Sequence, residues 1–142
     1  MPNLPTKGFG DVGPENFAVG SCERKLFSIT GADMQSTADQ ALTKAGTFTT
    51  YVITKIIARR ASGGATVACA GGIYTAATKG GSALVAAAQS WINLSGAGKI
   101  VDATLEAVVG TDEQTATPIL SLTTGSTAAV TADISVYGYA LN

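Results

Sequence analysis

The feature that most constrains this chain is a series of short runs rich in β-branched and aromatic residues, separated by turns of Gly, Ser, Thr and Asn. The strongest run is residues 49–59, TTYVITKIIAR, whose middle is apolar on both faces. We therefore expect a central strand there, covered on both sides. Residues 100–109 alternate between apolar and polar side chains, the period of a half-buried strand. Further strands are predicted at residues 25–30, 65–70, 73–78, 118–123 and 132–139.

The remaining segments are mostly turns and loops. Residues 31–46 read as a loop with one helical turn near residues 36–42, and the Gly-Gly pair at 71–72 and the Lys-Gly-Gly stretch at 79–81 read as turns. Residues 82–91 are ambiguous, because their alanines favour a helix while their neighbours favour a strand, the interpretation we prefer. Strands and helices do not alternate. The pattern predicts an all-β fold, an antiparallel β-sandwich of jelly-roll type.

Residues 1–24 differ in composition from the rest, since they contain three prolines and several glycines, which resist helix and regular strand. Two interpretations stay open: an extended N-terminal arm ordered by lying across another surface, or a disordered terminus. Phe9, Val12 and Phe17 favour the arm, because they supply apolar anchors. The predicted organisation is thus this arm followed by a single sandwich domain at residues 25–142.

The charge content points toward protein contacts. Charged residues make up 13% of the chain, about half the usual fraction of roughly a quarter, and the net charge is −1. Such a surface suits a protein that remains in contact with others, and it lacks the basic clusters of a nucleic-acid binder. The basic pairs at residues 24–25 and 59–60 are interpreted as strand ends or partner contacts. The residues selected as candidate partner contacts are Phe9, Phe17, Arg24, Lys25, Arg59 and Arg60.

The sequence offers little catalytic or metal-binding chemistry. It contains no histidine, and its two cysteines, Cys22 and Cys69, have no neighbour at the spacing of a zinc site. We expect both to be reduced thiols, buried or half-buried, and we expect no metal or cofactor. The first residues show no apolar signal segment, and no run reaches the roughly 18 apolar residues of a membrane helix. The expected product is soluble and intracellular, with no membrane partner.

Apparent catalytic and nucleotide-binding motifs lack their structural context. Residues 8–13 match the spacing of the dinucleotide fingerprint, yet no strand precedes them and Pro14 follows. Residues 96–99 resemble part of a phosphate loop without its first glycine or its hydroxyl ligand. Asp102 and Glu106 would lie about 13 Å apart on a strand, too far for a glycosidase pair. No sequence motif indicates a catalytic Ser–Lys pair. We predict that the chain is not an enzyme.

Several stretches resemble small head proteins of tailed bacteriophages, in particular their cement, or decoration, proteins. They are residues 73–81 (IYTAATKGG), Ser90-Trp91, residues 96–99 (GAGK) and residues 133–138 (DISVYG). The resemblance implies a jelly-roll-like fold, symmetric oligomers and binding to the outside of a shell of major capsid protein. It implies no catalytic residues. Expected partners are therefore the major capsid protein and a second copy of the chain, since two-fold assemblies are the commonest.

The same resemblance implies a location on the exterior of the virion, after synthesis in the host cytoplasm. The alternative is a phage tail-fibre or receptor-binding module, which shares the Thr-, Ser- and Gly-rich β composition. Such a module would be an elongated trimer that binds a host surface molecule. One tryptophan and four tyrosines are few for a carbohydrate platform. A glycan- or peptide-binding accessory domain is a third interpretation.

Overall fold

The computed structural model describes residues 22–96, 98–107 and 109–141, which contain nine β-strands and no helix. The strands are β1 (Arg24–Asp33), β2 (Gln40–Ala41), β3 (Thr43–Lys44), β4 (Thr50–Gly63), β5 (Ala70–Ala76), β6 (Gly80–Val85), β7 (Ile100–Ala103), β8 (Ile119–Thr124) and β9 (Val130–Leu141). They form a five-stranded sheet in the order β3-β1-β9-β4-β7 and a four-stranded sheet in the order β2-β8-β5-β6. Every strand pair within the two sheets is antiparallel.

The strand order is that of a jelly roll. With the two-residue strand β3 set aside, β1-β9-β4-β7 faces β2-β8-β5-β6, so each sheet combines strands from distant parts of the chain. The first strand, β1, pairs along its length with the last, β9. The expected all-β, antiparallel sandwich is confirmed, and β1 begins at Arg24.

The core lies between the two sheets. Strand β9 alternates along its whole length, so Ile134 and Val136 are fully buried, as expected, while Ser135 and Tyr137 are half-exposed on the opposite face. Trp91 fills the core beside the four-stranded sheet and donates a hydrogen bond from Nε1 to the carbonyl oxygen of Gly71 at 3.1 Å. This bond satisfies the indole N–H, which burial would otherwise leave without a partner.

Strand β4 is central but is not covered on both sides. It lies between β9 and β7, and it buries Ile53, Ile56 and Ala58 against the core. Val52 and Ile57 on its other face remain half-exposed. The expectation of two covered faces is therefore wrong in the described residues, because the apolar side chains of the second face meet no layer of this sandwich.

The glycine pair at 71–72 belongs to a strand rather than a turn. Residues 65–70 were expected to form a strand, but Ala68 has a left-handed φ of 54°, and β5 begins only at Ala70. Gly71 lies within β5 opposite Leu122, where a Cβ would come within 2.3 Å of the Leu122 Cα. Its role is close approach between strands, which sequence spacing does not distinguish from a turn.

The following turn also starts earlier than predicted. Gly80 donates its N–H to the carbonyl oxygen of Ala77 at 3.0 Å, and the two residues between them, Thr78 and Lys79, have φ of 56° and 59°. Two central residues with positive φ define a type I′ hairpin turn. Strand β6 then covers only the first part of the predicted strand at 82–91, and no helix forms there.

Two other predictions are corrected. The strand expected at residues 100–109 ends at Ala103, because the chain then crosses to the other sheet, where Glu106 donates its N–H to the carbonyl oxygen of Leu84 at 3.0 Å. The helical turn expected near residues 36–42 is absent, and the short strand β2 lies there instead. The strands predicted at 25–30, 73–78, 118–123 and 132–139 are found as β1, β5, β8 and β9.

Candidate functional site

The outward side chains of β1, β9, β4 and β7 form the outer face of the five-stranded sheet. The register of these strands arranges them in rows that cross the sheet. They are the lysine row (Lys25, Tyr137, Lys55), the serine row (Ser28, Ser135, Ile57, Asp102) and the ion-pair row (Asp133, Arg59, Ile100). The serine row lies between the other two.

The short side chains of the serine row create a depression. Ser28 and Ser135 do not rise as far from the sheet as Tyr137 on one side or Arg59 on the other. The result is a depression of about 400 Å³, which we call the trough. It crosses the strands along the serine row, with Ile57 on its floor and Ile100 at the β7 edge.

The ion-pair row is a fixed wall of the trough. Arg59 donates from Nη2 to Asp133 Oδ2 at 2.8 Å, and the Gly31 N–H donates to Asp133 Oδ1 at 2.9 Å. These two hydrogen bonds, with that from Arg59 the larger cause, lower the pKa of Asp133 below its usual value. The carboxylate therefore stays ionised at neutral pH and connects β9 to β4 through Arg59 and to β1 through Gly31.

The lysine row carries two positive charges of this face. Lys55 Nζ lies 5.5 Å from the centre of the Tyr137 ring, and Lys25 pairs with Tyr137 from the other side. Within the described ranges, the only salt bridge is that of the ion-pair row, so neither lysine has a carboxylate partner there. Glu23, which precedes β1, accepts a hydrogen bond from the Thr54 hydroxyl.

Apolar side chains stay exposed on the same face. Ile100 is 57% exposed and Tyr139 is 38% exposed, while Val52 and Ile57 are half-exposed. Single exposed apolar residues are ordinary, but a group on one sheet face is a feature of interaction surfaces.

The outer face of the four-stranded sheet differs, because the chain itself covers part of it. Tyr74 and Ser121 lie on that face and are 6% and 1% exposed. Asp39, just before β2, reaches the β5–β6 turn, where its Oδ2 accepts the Thr78 N–H at 2.6 Å. This hydrogen bond is the main cause of the lowered pKa of Asp39. Of the two outer faces, that of the five-stranded sheet is the more open to a partner.

The structure describes four of the six predicted contact residues, and these four lie in three different places. Lys25 and Arg59 both line the trough. Arg60 turns back along its own strand and donates from Nη1 to the Gly63 and Gly64 carbonyl oxygens at 2.5 and 3.1 Å. Phe9 and Phe17, with most of the predicted arm, lie outside the described residues.

Arg24 lies at the end of the sandwich. Its guanidinium carbon is 5.6 Å from the centre of the Phe48 ring, which in turn packs edge-on against Phe27 and Tyr51 with ring centres 5.5 and 5.8 Å away. The Nε and Nη2 atoms of Arg24 are buried and have no hydrogen-bond partner among the described residues. Arg24 is therefore a packing residue at this end, separate from the trough.

Sequence reasoning missed most of the trough. Ile57, Asp133 and Tyr137, which line it, were not selected, although the alternation of residues 132–139 put Asp133 and Tyr137 on the outward face. Lys55 of the adjoining lysine row was not selected either. The usable signal was the apolar second face of residues 49–59, which we interpreted as buried.

The described residues offer no arrangement that could hold a metal ion, since they contain no group of three metal-ligating side chains. Cys69 is buried and donates weakly to the Met34 carbonyl oxygen at 3.5 Å, and burial raises the pKa of its thiol to about 11. It is therefore protonated and unreactive at neutral pH. Cys22 is exposed, which corrects the expectation that both cysteines are buried or half-buried.

Comparisons with known proteins identified no relative of this chain. No family model matches the chain, and no match was found among the curated proteins or the solved structures. No helix in the part of the chain that the structure describes is long and apolar enough to cross a membrane. The candidate site therefore rests on the geometry of the outer face.

Proposed function

We propose that this chain is a structural, non-enzymatic protein that binds the outside of a phage head shell as a cement, or decoration, protein. Its partners are the major capsid protein and a second copy of itself. The observation that carries the proposal is the outer face of the five-stranded sheet, which combines exposed apolar side chains with a trough and with a lysine row that has no salt bridge among the described residues.

The size of this face suits a protein partner. Three strands of at least ten residues (β1, β9 and β4) and the four-residue strand β7, spaced by about 4.8 Å and rising about 3.3 Å per residue, cover roughly 540 Å². A standard protein interface buries about 800 Å² on each partner. The face supplies most of that area. In this proposal residues 1–24, predicted from the sequence to form an arm, provide a second contact.

The fold is compatible with the proposal but does not decide it. Jelly rolls occur in viral capsid and lectin domains and in cupins, so the fold alone supports several functions. In a decoration protein each contact can be modest. Many copies on one shell oppose its expansion together, because linked contacts raise the effective affinity without any new contact.

Shell binding provides the direct test. Purified protein is mixed with expanded shells of the major capsid protein of the same virus, and binding is followed by co-sedimentation and by the melting temperature of the shells. The wild-type chain should co-sediment and raise that temperature. Ile57→Lys should abolish both effects, since it places a charge on the floor of the trough. Thr124→Lys, at an exposed position of β8, is the matched control and should bind normally.

Two further measurements separate this proposal from its alternative. A chain lacking residues 1–20 should keep its β-sheet circular dichroism spectrum and bind shells more weakly. Light scattering should give a dimer. A trimer that ignores shells and binds host cells would instead establish the receptor-binding module and refute decoration.

A further inference from the structure

The lysine row and the trough together define the chemistry of the segment that docks on the outer face. We propose that the trough binds an extended segment of the partner protein with carboxylates at alternate positions, facing the lysine row, and aliphatic side chains between them. This inference rests on the proposed function, because it names the chemistry of the partner surface that the outer face contacts.

The width of the trough selects an extended chain. Its walls are marked on β9 by Tyr137 and Asp133, whose Cα atoms are four residues apart, or about 13 Å. The side chains of Tyr137 and Arg59, which line the trough, narrow this gap further. An α-helix with its side chains is about 10 Å across and is too wide. An extended segment fits, and it would lie across the strands.

The charges of the walls fix which side of the segment is acidic. Lys25 on β1 and Lys55 on β4 are two strand spacings apart, about 10 Å, with Tyr137 between them. Alternate side chains of an extended segment point the same way and lie about 7 Å apart, a spacing that two flexible lysine stems can meet. The opposite wall attracts no second anion, because Arg59 is already paired with Asp133.

Two other acidic side chains, Asp102 and Glu23, lie near the rows that border the trough. Asp102 is exposed at the β7 edge, and it disfavours an acidic residue at that end of the segment. The Glu23 carboxylate is hydrogen-bonded by Thr54. The aliphatic side chains of the segment would contact Ile57 on the floor and Ile100 beyond it, both of which have apolar surface in contact with water.

The test uses a synthetic peptide as the probe. The acetylated and amidated peptide Thr-Glu-Val-Glu-Val-Thr is titrated into the full-length, ¹⁵N-labelled protein, and chemical-shift changes are recorded. Binding at millimolar or slightly tighter affinity is expected, since exposed ion pairs contribute modestly. The shifts should cluster at Ser28, Ser135 and Ile57, and affinity should fall as salt rises, because salt screens exposed charges.

Charge variants supply the controls. The double variant Lys25→Glu with Lys55→Glu should lose about tenfold or more in affinity for this peptide, since it turns two attractions into repulsions. Lys79→Glu, in the β5–β6 turn, changes the charge away from the trough and should bind like the wild type. A peptide with lysines in place of both glutamates should not bind the wild type.

The outcomes separate this inference from the proposed function. If the double variant binds shells normally while Ile57→Lys does not, the outer face docks on shells and the acidic segment is wrong. An absence of shifts at 5–10 equivalents and several millimolar peptide (about 5 mM, the range of weak affinities), or shifts confined to another face, would overturn the inference. Binding seen only after removal of residues 1–21 would also overturn it, because the occupant would then be this chain's own terminus.

Discussion

The close approach of β5 to β8 at Gly71 makes a sharp prediction about stability. In the variant Gly71→Ala the new Cβ would lie 2.3 Å from the Leu122 Cα and 2.9 Å from the Ser121 carbonyl oxygen. Both contacts are with backbone, so no side-chain rotation can relieve them. The two strands must separate by about 1 Å to restore an ordinary carbon–carbon contact of about 3.5 Å.

The expected cost follows from three contributions. Overpacking of this kind costs about 1–3 kcal/mol, and a weakened hydrogen bond from Trp91 to the Gly71 carbonyl adds about 1–3 kcal/mol. Alanine recovers about 0.4–1 kcal/mol by restricting the unfolded chain. We therefore expect a loss of about 3 kcal/mol in the free energy of unfolding, and a fall of about 10 °C in Tm for a domain of this size.

Urea unfolding followed by circular dichroism measures this loss, and a second glycine provides the matched control. A Cβ added at Gly64 would meet only the Ala128 Cβ, at 4.0 Å, so Gly64→Ala should leave stability unchanged or raise it by less than about 1 kcal/mol. Equal urea midpoints for the two variants would refute the argument that close strand approach, rather than backbone freedom, requires glycine at position 71.

Three other predictions concern local features. Thr78→Asn combined with Lys79→Gly should raise Tm by several degrees in a thermal melt, because Asn-Gly adopts the type I′ turn without left-handed strain; an unchanged or lower Tm would contradict this turn assignment. Asp133 has a lowered pKa when folded, so its contribution is present above its unfolded pKa of about 3.9 and is lost as pH falls through the folded value. Asp133→Asn should therefore flatten the acid limb of the stability curve below about pH 4, and an acid limb identical to that of the wild type would argue against the ion pair. Arg24→Met should raise the free energy of unfolding by about 1 kcal/mol, since two buried guanidinium nitrogens without a partner among the described residues cost more than the contact with Phe48 contributes; destabilisation in urea would show that the guanidinium has a partner.

Local patterns in the sequence were sufficient where the fold itself is local. The alternation in residues 132–139 identified both faces of β9, and the β-branched run at 49–59 identified β4. Local sequence patterns gave wrong predictions where contacts with strands distant in the sequence determine the conformation. Gly71 is in a strand because β8 lies against it, and the strand starting at Ile100 ends at Ala103 because the chain crosses to β6.

The candidate site was less predictable for the same reason. The lysine row beside the trough depends on the register that places Lys25, Tyr137 and Lys55 side by side, although they come from three strands far apart in the chain. Selecting basic pairs found Lys25 and Arg59 but could not tell them from Arg24 and Arg60, which face elsewhere. The sequence identified β9 as a strand, but it did not show that β1 and β4 pair with it on either side.

The position of β9 also governs the order in which this chain can fold. Every other strand that the structure describes precedes β9 in the sequence, yet β9 lies between β1 and β4 at the centre of the larger sheet. During synthesis, the edges of β1 and β4 therefore stay unpaired until β9 emerges from the ribosome. Folding must wait for contacts of long sequence separation, which are slow to form. Until then the nascent chain exposes two strand edges to its neighbours, and aggregation competes with folding most strongly in that interval.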